Sequence, residues 1–367
     1  MKSINAPPQV DELKDFEDDI SELVQNVEFN KKSNQFLKSL DNTIDEVKKQ
    51  KNLYVSADKT SNKYLMKPAT YKELLEKNVQ STYKKATPED INEVVSDHQE
   101  IVKTLEVNER VFKTIPRAAF ITLKDHKENF QQNPQVRLLN PRKCEIGKIS
   151  KKILERIVKQ LRKKLSLLQW QNTDSVIEWF KCITNKKRKR FIQLDIVNFY
   201  PSITPELLDK ALDWAESNVS ITSDEKNVIK QAKKSFLYTE STPWVKKGER
   251  NFDIGMGAWD GAESCDLVGL YLLHLVTSEV KDLEMGLYRD DGLCVSSATP
   301  RLTEKLRQKI VQIFQRNGLG TTSTANLTQV QFLDVTLDLK NEIFKPYIKP
   351  GDKPIYVHSK SNHPQPS

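Results

Sequence analysis

Two adjacent carboxylates stand in Tyr288-Arg289-Asp290-Asp291-Gly292, between the apolar runs Gly286-Leu287 and Leu293-Cys294-Val295. Asp-Gly tolerates the positive φ of a tight turn, so the spacing predicts a β-hairpin with the acids held rigidly at its tip, facing outward. Carboxylates fixed in this way can hold a pair of metal ions for phosphoryl transfer. Alone the pentapeptide says little, because an acidic hairpin tip is more often a solvated turn.

A second element about ninety residues upstream changes the reading. Arg190-Phe191-Ile192-Gln193-Leu194-Asp195-Ile196-Val197 reads as a strand with apolar residues on both faces and one carboxylate near its end. Such a strand belongs in the middle of a covered sheet. An unpaired aspartate there is costly unless something neutralises it, and a divalent cation does so well. Asn198-Phe199-Tyr200-Pro201-Ser202-Ile203 leaves the strand, and Thr204-Pro205-Glu206 has the N-cap, first-position proline and first-turn acid of a helix start. Strand and hairpin together predict a cluster of three carboxylates: Asp195, Asp290 and Asp291.

These residues resemble those of a reverse transcriptase. Asp195–Ile203 (DIVNFYPSI) is similar to the motif carrying the first catalytic aspartate, and Tyr288–Asp291 (YRDD) to the YxDD box. Further segments resemble the Penelope-like retroelement branch: Ala57-Asp58-Lys59 followed by Tyr71 and Leu74, and Leu123-Lys124-Asp125-His126-Lys127 with Arg137-Leu138-Leu139-Asn140-Pro141. So do Phe332-Leu333-Asp334-Val335 and the terminal Ser361-Asn362-His363-Pro364. The resemblance runs from about residue 53 to the end. Two segments depart from the branch. LKDHK stands where it has a PK-x-HK box, and Gly255-Met256-Gly257-Ala258-Trp259-Asp260-Gly261-Ala262-Glu263-Ser264 where it has a short glycine-serine-proline turn.

The resemblance implies an α+β right-hand polymerase fold, with fingers and palm, an antiparallel palm sheet backed by helices, and a thumb largely missing. Its parts would be a helical extension over 1–52, a fingers-like region with basic helices over 53–190, a palm over 191–345, and an extended segment over 346–367 at the start of a truncated thumb. The implied activity is RNA-directed DNA polymerase of a mobile element. RNA-directed RNA polymerase and a non-catalytic nucleic-acid-binding remnant are the alternatives. Asp195, Ile196, Asp290 and Asp291 would hold two Mg²⁺ (or Mn²⁺) about 3.5–4 Å apart. Asp291 would mainly support the turn. Lys124, Lys127 and Arg137 would grip the triphosphate. Tyr200 would pack beneath the incoming sugar and exclude a 2′-hydroxyl. Gly257 and Gly261 would let the backbone approach template or nucleotide closely, unless they merely make a loop turn. The implied partners are an RNA template, a DNA primer and deoxynucleoside triphosphates.

Bulk properties agree with such a role without identifying it. In 367 residues there are 58 Lys and Arg against 50 Asp and Glu, a net charge of +8. The cations concentrate between Arg142 and Arg190: Lys148, Lys151, Lys152, Arg156, Lys159, Arg162, Lys163 and Lys164, then Lys186-Lys187-Arg188-Lys189-Arg190. A helix over 145–164 would turn Ile149, Ile153, Ile157 and Leu161 inward and leave a basic side free to follow a phosphate backbone. The Lys186–Arg190 cluster resembles a nuclear-import signal but abuts a core strand, which favours template contact. Four cysteines lie far apart without a CxxC pair, which argues against a zinc ribbon or disulfide framework and for a reducing compartment. His126 is the one histidine inside a motif, with positioning as its expected role. The N-terminus lacks an apolar leader and the longest apolar run, Leu267–Leu273, is too short to span a bilayer. The expectation is an intracellular protein of nucleus or cytoplasm, neither secreted nor membrane-embedded.

Helical spacing is read over 9–51 (Phe16, Ile20, Leu23 and Val27, then Phe36, Leu40, Ile44 and Val47), which predicts a helical hairpin. Further helices are read from Thr87-Pro88, over 145–185, 205–217, 222–236, 267–280 and from Thr299-Pro300. Strands are read at 117–123, 135–139, 331–339 and 342–347.

Overall fold

The computed structural model describes residues 14–26, 42–47, 49, 52–60, 62–104, 117–127, 129–141, 144–248, 251–281 and 283–348. The expectations for Val27, Phe36, Leu40, Arg142 and the terminal Ser361–Pro364 segment lie outside these residues. The chain divides into two units, residues 1–52 and 53–367. In the first, α1 (Lys14–Gln25) and residues 42–47 are helical. The apolar stripe of α1 (Phe16, Ile20, Leu23 and Val24) is exposed.

The second unit opens with the antiparallel pair β1 (Leu53–Ser56) and β2 (Lys63–Met66), followed by α2 (Pro68–Thr82), β3 (Tyr83–Lys85) and α3 (Pro88–Thr104). β4 (Phe120–Leu123) and β5 (Val136–Leu139) form a second hairpin, joined to the first by a parallel bridge between Ala57 and Leu123. Val55, Ile121, Leu123 and Val136 make a small core between the two hairpins. Next come α4 (Glu145–Lys164), β6 (Leu168–Gln169) and α5 (Thr173–Cys182).

β7 (Arg190–Ile196) leads to the single turn α6 (Phe199–Ser202), α7 (Pro205–Glu216) and α8 (Ser223–Gln231). Thr204 caps α7 by accepting from the Leu207 N–H at 3.2 Å, as the Thr-Pro-Glu signal predicts. Then come β8 (Leu237–Thr239), β9 (Thr242–Lys246), α9 (Gly261–Glu279), β10 (Glu284–Tyr288), β11 (Asp291–Ser296) and α10 (Pro300–Arg316). β12 (Thr321–Leu327), β13 (Gln329–Phe332), β14 (Val335–Asp338) and β15 (Ile343–Pro346) complete the unit. Phe332-Leu333-Asp334-Val335, expected inside one strand, is instead the turn between β13 and β14, with Leu333 at φ 51°.

Five strands form the central sheet in the order β12-β7-β11-β10-β6. β7 alternates as the sequence demands. Ile192, Leu194 and Ile196 enter a large core with α4, α7, α9 and α10 on one side. Phe191, with Leu293 and Val295 of β11, enters a second core with α5, β13 and β14 on the other. Gly286 on β10 lies under the Trp170 ring, where a Cβ would come within 2.2 Å of Cζ2.

The basic face expected on α4 is neutralised in part by the protein itself. Lys148 pairs with Glu145 (2.7 Å), Lys151 with Glu263 (3.5 Å), Arg156 with Glu225 (2.6 Å) and Arg162 with Asp266 (3.2 Å). Lys164 donates to the Asn218 carbonyl at 2.6 Å. The Lys186–Arg190 cluster sits where β7 begins, roughly 16 Å along the strand from Asp195 at ~3.3 Å per residue. Lys186 itself caps α5 by donating to the carbonyls of Lys181 and Ile183. Among the described residues no helix is long and apolar enough to cross a membrane.

The loop before α9 is tied down by a buried ion pair. Lys233 and Asp260 are each about 1 % exposed and bonded to one another, and Ser150 Oγ donates to the same carboxylate at 2.5 Å. Removing one partner of a buried pair leaves an uncompensated charge, which costs about 3–5 kcal/mol. Lys233→Met is expected to lower stability by about that amount in urea unfolding. Adding Asp260→Leu should recover most of the loss, because no lone buried charge then remains.

Candidate functional site

Four residues form a row across one end of the sheet: Tyr288, Asp291, Asp195 and Thr322 are successive register partners on β10, β11, β7 and β12. Directly opposed residues on antiparallel strands share a face. The row therefore continues the face that carries Phe191, Leu293 and Val295, beyond the point where the second core covers it. There Asp195 is exposed.

Asp290 arrives from the turn. Tyr288 and Asp291 close the hairpin, and Arg289, at φ 55°, and Asp290 form its two-residue connection. The expected turn at Asp291-Gly292 is corrected: both are β11 residues, and Gly292 has no positive φ. A Cβ at 292 would lie 2.6 Å from Leu194 Cγ, so glycine serves the close approach of β7 rather than a turn. The Ile196 N–H donates to the Asp290 carbonyl at 2.8 Å, locking the hairpin tip against the end of β7. Arg289 reaches inward to Asp266 at 3.5 Å, and Asp266 is also held by Arg162. Gln169 accepts from Arg162 and donates to the Asp266 carbonyl.

Partial burial, then the Asp290 charge, raise the Asp195 pKa above the usual carboxylate value, and Lys59 and Lys127 offset part of this. Those cations face the aspartates across a cavity of about 590 Å³ whose lining includes Asp195, Asp290, Lys59, Lys124, Lys127 and Arg137. Asp125 fixes the opposing wall. Its carboxylate accepts from Thr60 (2.5 Å), Asn62 (2.9 Å) and Tyr64 (3.0 Å), stapling the β4–β5 connection to the β1–β2 loop. Burial would raise the Asp125 pKa, but these hydrogen bonds outweigh it and lower the value. Arg137 pairs with Asp58 at 3.2 Å. Burial, then the Arg137 charge, depress the Lys124 pKa.

Asp195, Asp290, Lys124, Lys127 and Arg137 are thus brought together as cavity-lining residues. Ile196 has its side chain in the core, so its main chain faces the cavity. Asp291 occupies the adjoining row without lining the cavity. Among the described residues no three His, Cys, Asp or Glu side chains are gathered to hold one ion. Of the expected trio, Asp195 and Asp290 line the cavity, and Asp291 stands opposite Asp195 in the sheet register. Tyr200 is half-buried against the core, close to Gly261, and burial, then Cys265, push its pKa up to about 12. Its neighbours Phe199 and Pro201 line the cavity. Gly257, at φ 106°, approaches the protein's own backbone: a Cβ would lie 2.8 Å from the Asn140 carbonyl oxygen. Sequence reasoning did not single out Lys59, Thr322 or Asp125. Lys59 and Asp125 lie inside quoted motifs, and Thr322 sits in a Thr-rich run whose β-branching was the available signal.

The site suits a hard divalent cation. Its donors are carboxylate oxygens, and the raised Asp195 pKa comes from burial first and the Asp290 charge second, both of which a bound cation would offset. A carboxylate with a raised folded-state pKa costs stability as pH rises from its unfolded value through the raised one. Asp195→Asn is therefore expected to raise the urea midpoint of the metal-free protein at pH about 7 and to leave it unchanged below about pH 3.8. A lower midpoint for the variant at neutral pH would contradict the cost of holding Asp195 charged at this partly buried site beside Asp290.

No protein-family model matches the sequence, and no curated protein matches it. Solved structures do. Apo telomerase from Candida tropicalis truncated from its C-terminal domain superposes with a TM-score of 0.56 at 9 % identity, over 80 % of this chain and 63 % of that one. Apo telomerase from Candida tropicalis gives 0.58 at 8 % identity, over 80 % and 56 %. Telomerase from Candida albicans in complex with a TWJ fragment of telomeric RNA gives 0.51 at 10 % identity, over 81 % and 54 %. The chain spans 63 % or less of the length of these telomerases. It has a mixed α+β fold related to their right-hand polymerase fold.

Proposed function

We propose that this chain carries out template-directed nucleotidyl transfer, as the RNA-directed DNA polymerase of a mobile element. One observation carries the reading: the Asp195–Asp290 pair faces Lys59, Lys124, Lys127 and Arg137 across a single cavity. That arrangement suits a metal-bound triphosphate, whose cations need carboxylates and whose phosphates need lysine and arginine.

Asp195 and Asp290 would hold two Mg²⁺ with the Ile196 main chain beside them, and the bound ions would supply activation of a primer 3′-hydroxyl and neutralisation of departing pyrophosphate. Asp291 supports the hairpin that aims Asp290. Lys124, Lys127 and Arg137 bind and orient the triphosphate, with Arg137 held in place by Asp58. The first-turn region after β7 bounds the sugar. The β1–β2 and β4–β5 hairpins act as fingers and the central sheet as palm. Membership of the Penelope-like branch rests on the motifs quoted above, and the telomerase likeness supports the fold alone.

One observation favours RNA synthesis as a second reading. Phe199 and Pro201 line the cavity whereas Tyr200 packs toward Gly261 and the core, so the ring expected to exclude a 2′-hydroxyl is not part of the cavity lining. Primer extension on an RNA template, with deoxynucleotides and ribonucleotides supplied separately, separates the two readings. Extension with neither supports a non-catalytic remnant. Asp290→Ala is expected to lower extension by on the order of 10³-fold or more while template binding stays near wild type. Undiminished extension in that variant ends the assignment. Tyr200→Ala should raise ribonucleotide use relative to deoxynucleotide use, and unchanged selectivity would assign the ring to core packing.

A further inference from the structure

We infer that His126 is a phosphate-binding residue of this cavity that takes up a proton when a nucleoside triphosphate enters. The inference rests on the polymerase reading and deepens it, because it adds a proton to the binding step.

The geometry comes from the turn that holds the residue. Asp125 is fastened to Thr60, Asn62 and Tyr64, and the Lys127 N–H donates to the Lys124 carbonyl at 3.1 Å. With Asp125 committed to the β1–β2 loop, Lys124, His126 and Lys127 all line the cavity, together with Lys59. The His126 Nδ1 is buried and has no hydrogen-bond partner within the protein. A buried polar atom without a partner is unfavourable, and one beside a phosphate site has an obvious acceptor available when ligand binds. The charged groups facing the imidazole are Lys59 and Lys127, which oppose its protonation, and Asp58 and Asp125, which favour it. Burial, then Lys59 and Lys127, hold its pKa below the ordinary 6.5, so the ring is neutral at neutral pH.

A triphosphate reverses that balance. Its negative charge lies between the same cations, so the imidazole gains an anionic neighbour and its pKa rises. The ring binds a proton from solvent and both nitrogens become donors. A histidine suits this position better than another lysine. Lys59, Lys124, Lys127 and Arg137 already line the wall, and after burial the Arg137, Lys127 and Lys59 charges add to the depression of the Lys124 pKa. A further permanent cation would add repulsion in the free protein, whereas histidine there favours its neutral form and gains charge as the ligand enters.

The sign follows from linkage. A pKa raised on binding makes affinity greatest below the free-state value and lets it decline as pH rises through the bound-state value. Calorimetric titration of the full chain with dTTP and Ca²⁺, in two buffers of different ionisation enthalpy, measures the protons taken up. Wild type is expected to take up a larger fraction of a proton than His126→Asn or His126→Gln at pH about 7. Both variants should bind dTTP about tenfold more weakly than wild type at pH about 6, and nearly as well at pH about 8. The ligand's own ionisation is common to all three proteins and cancels. Equal proton uptake in the three, with binding intact, overturns the role of His126 and leaves the polymerase reading standing. Absence of dTTP binding in wild type overturns both.

Discussion

Two carboxylates of like charge are held side by side at the open end of a sheet, and most of the unit is arranged so that they cannot move apart. Asp195 ends a strand buried on both faces, so its backbone is fixed by two cores at once. Asp290 has no such burial. It is fixed by a main-chain bond from Ile196, by the glycine that lets β11 lie close on Leu194, and by Arg289 reaching back to Asp266. Backbone pairing thus keeps the two residues next to one another. The raised Asp195 pKa reflects its partial burial first and the Asp290 charge second.

The counter-charge is placed with equal care. A net charge of +8 spread over the surface would attract nucleic acid weakly and without direction. Instead α4 neutralises part of its basic side against Glu145, Glu225, Glu263 and Asp266. Of the cations on the β1–β2 loop and the β4–β5 hairpin, Arg137 pairs with Asp58, and Lys59, Lys124, Lys127 and Arg137 line the cavity. Density of lysines in the sequence was therefore a poor guide to where positive potential acts. Exposed pairs of this kind add little to stability, so their effect is on the distribution of charge.

The strand at Asp195, the hairpin at 288–295 and the cationic pair of motifs upstream were legible in the sequence, because each rests on strong local patterning. β7 is apolar on both faces and the hairpin is bounded by apolar runs, which marks both as strand structure. The turn was misplaced by two residues, since Asp-Gly signals positive φ and also close packing, and here Gly292 serves packing. β12 was missed although it pairs directly with β7, because Thr-Thr-Ser-Thr-Ala-Asn-Leu lacks the apolar alternation that marks a strand. The β8–β9 hairpin was missed for a related reason: it is short and interrupted by Pro243. Apart from Lys148 with Glu145 three residues away, the pairing of α4 cations was not legible, because those acids come from α8 and α9, more than sixty residues away in the chain.

Floor and wall of the cavity are held by different forces. The floor is a sheet between two apolar cores, whose stabilisation depends little on pH or salt. The wall has only the small core of Val55, Ile121, Leu123 and Val136, and adds to it Asp125, Asp58 and their polar partners. A carboxylate whose folded pKa is lowered contributes stability above its unfolded value and loses it as pH falls through the folded one. Asp125 is of that kind, so at neutral pH the staple is at full strength. The aspartates that must stay put are therefore built on packing, and the cations that meet a ligand are built on polar contacts that a ligand's own charge can rebalance.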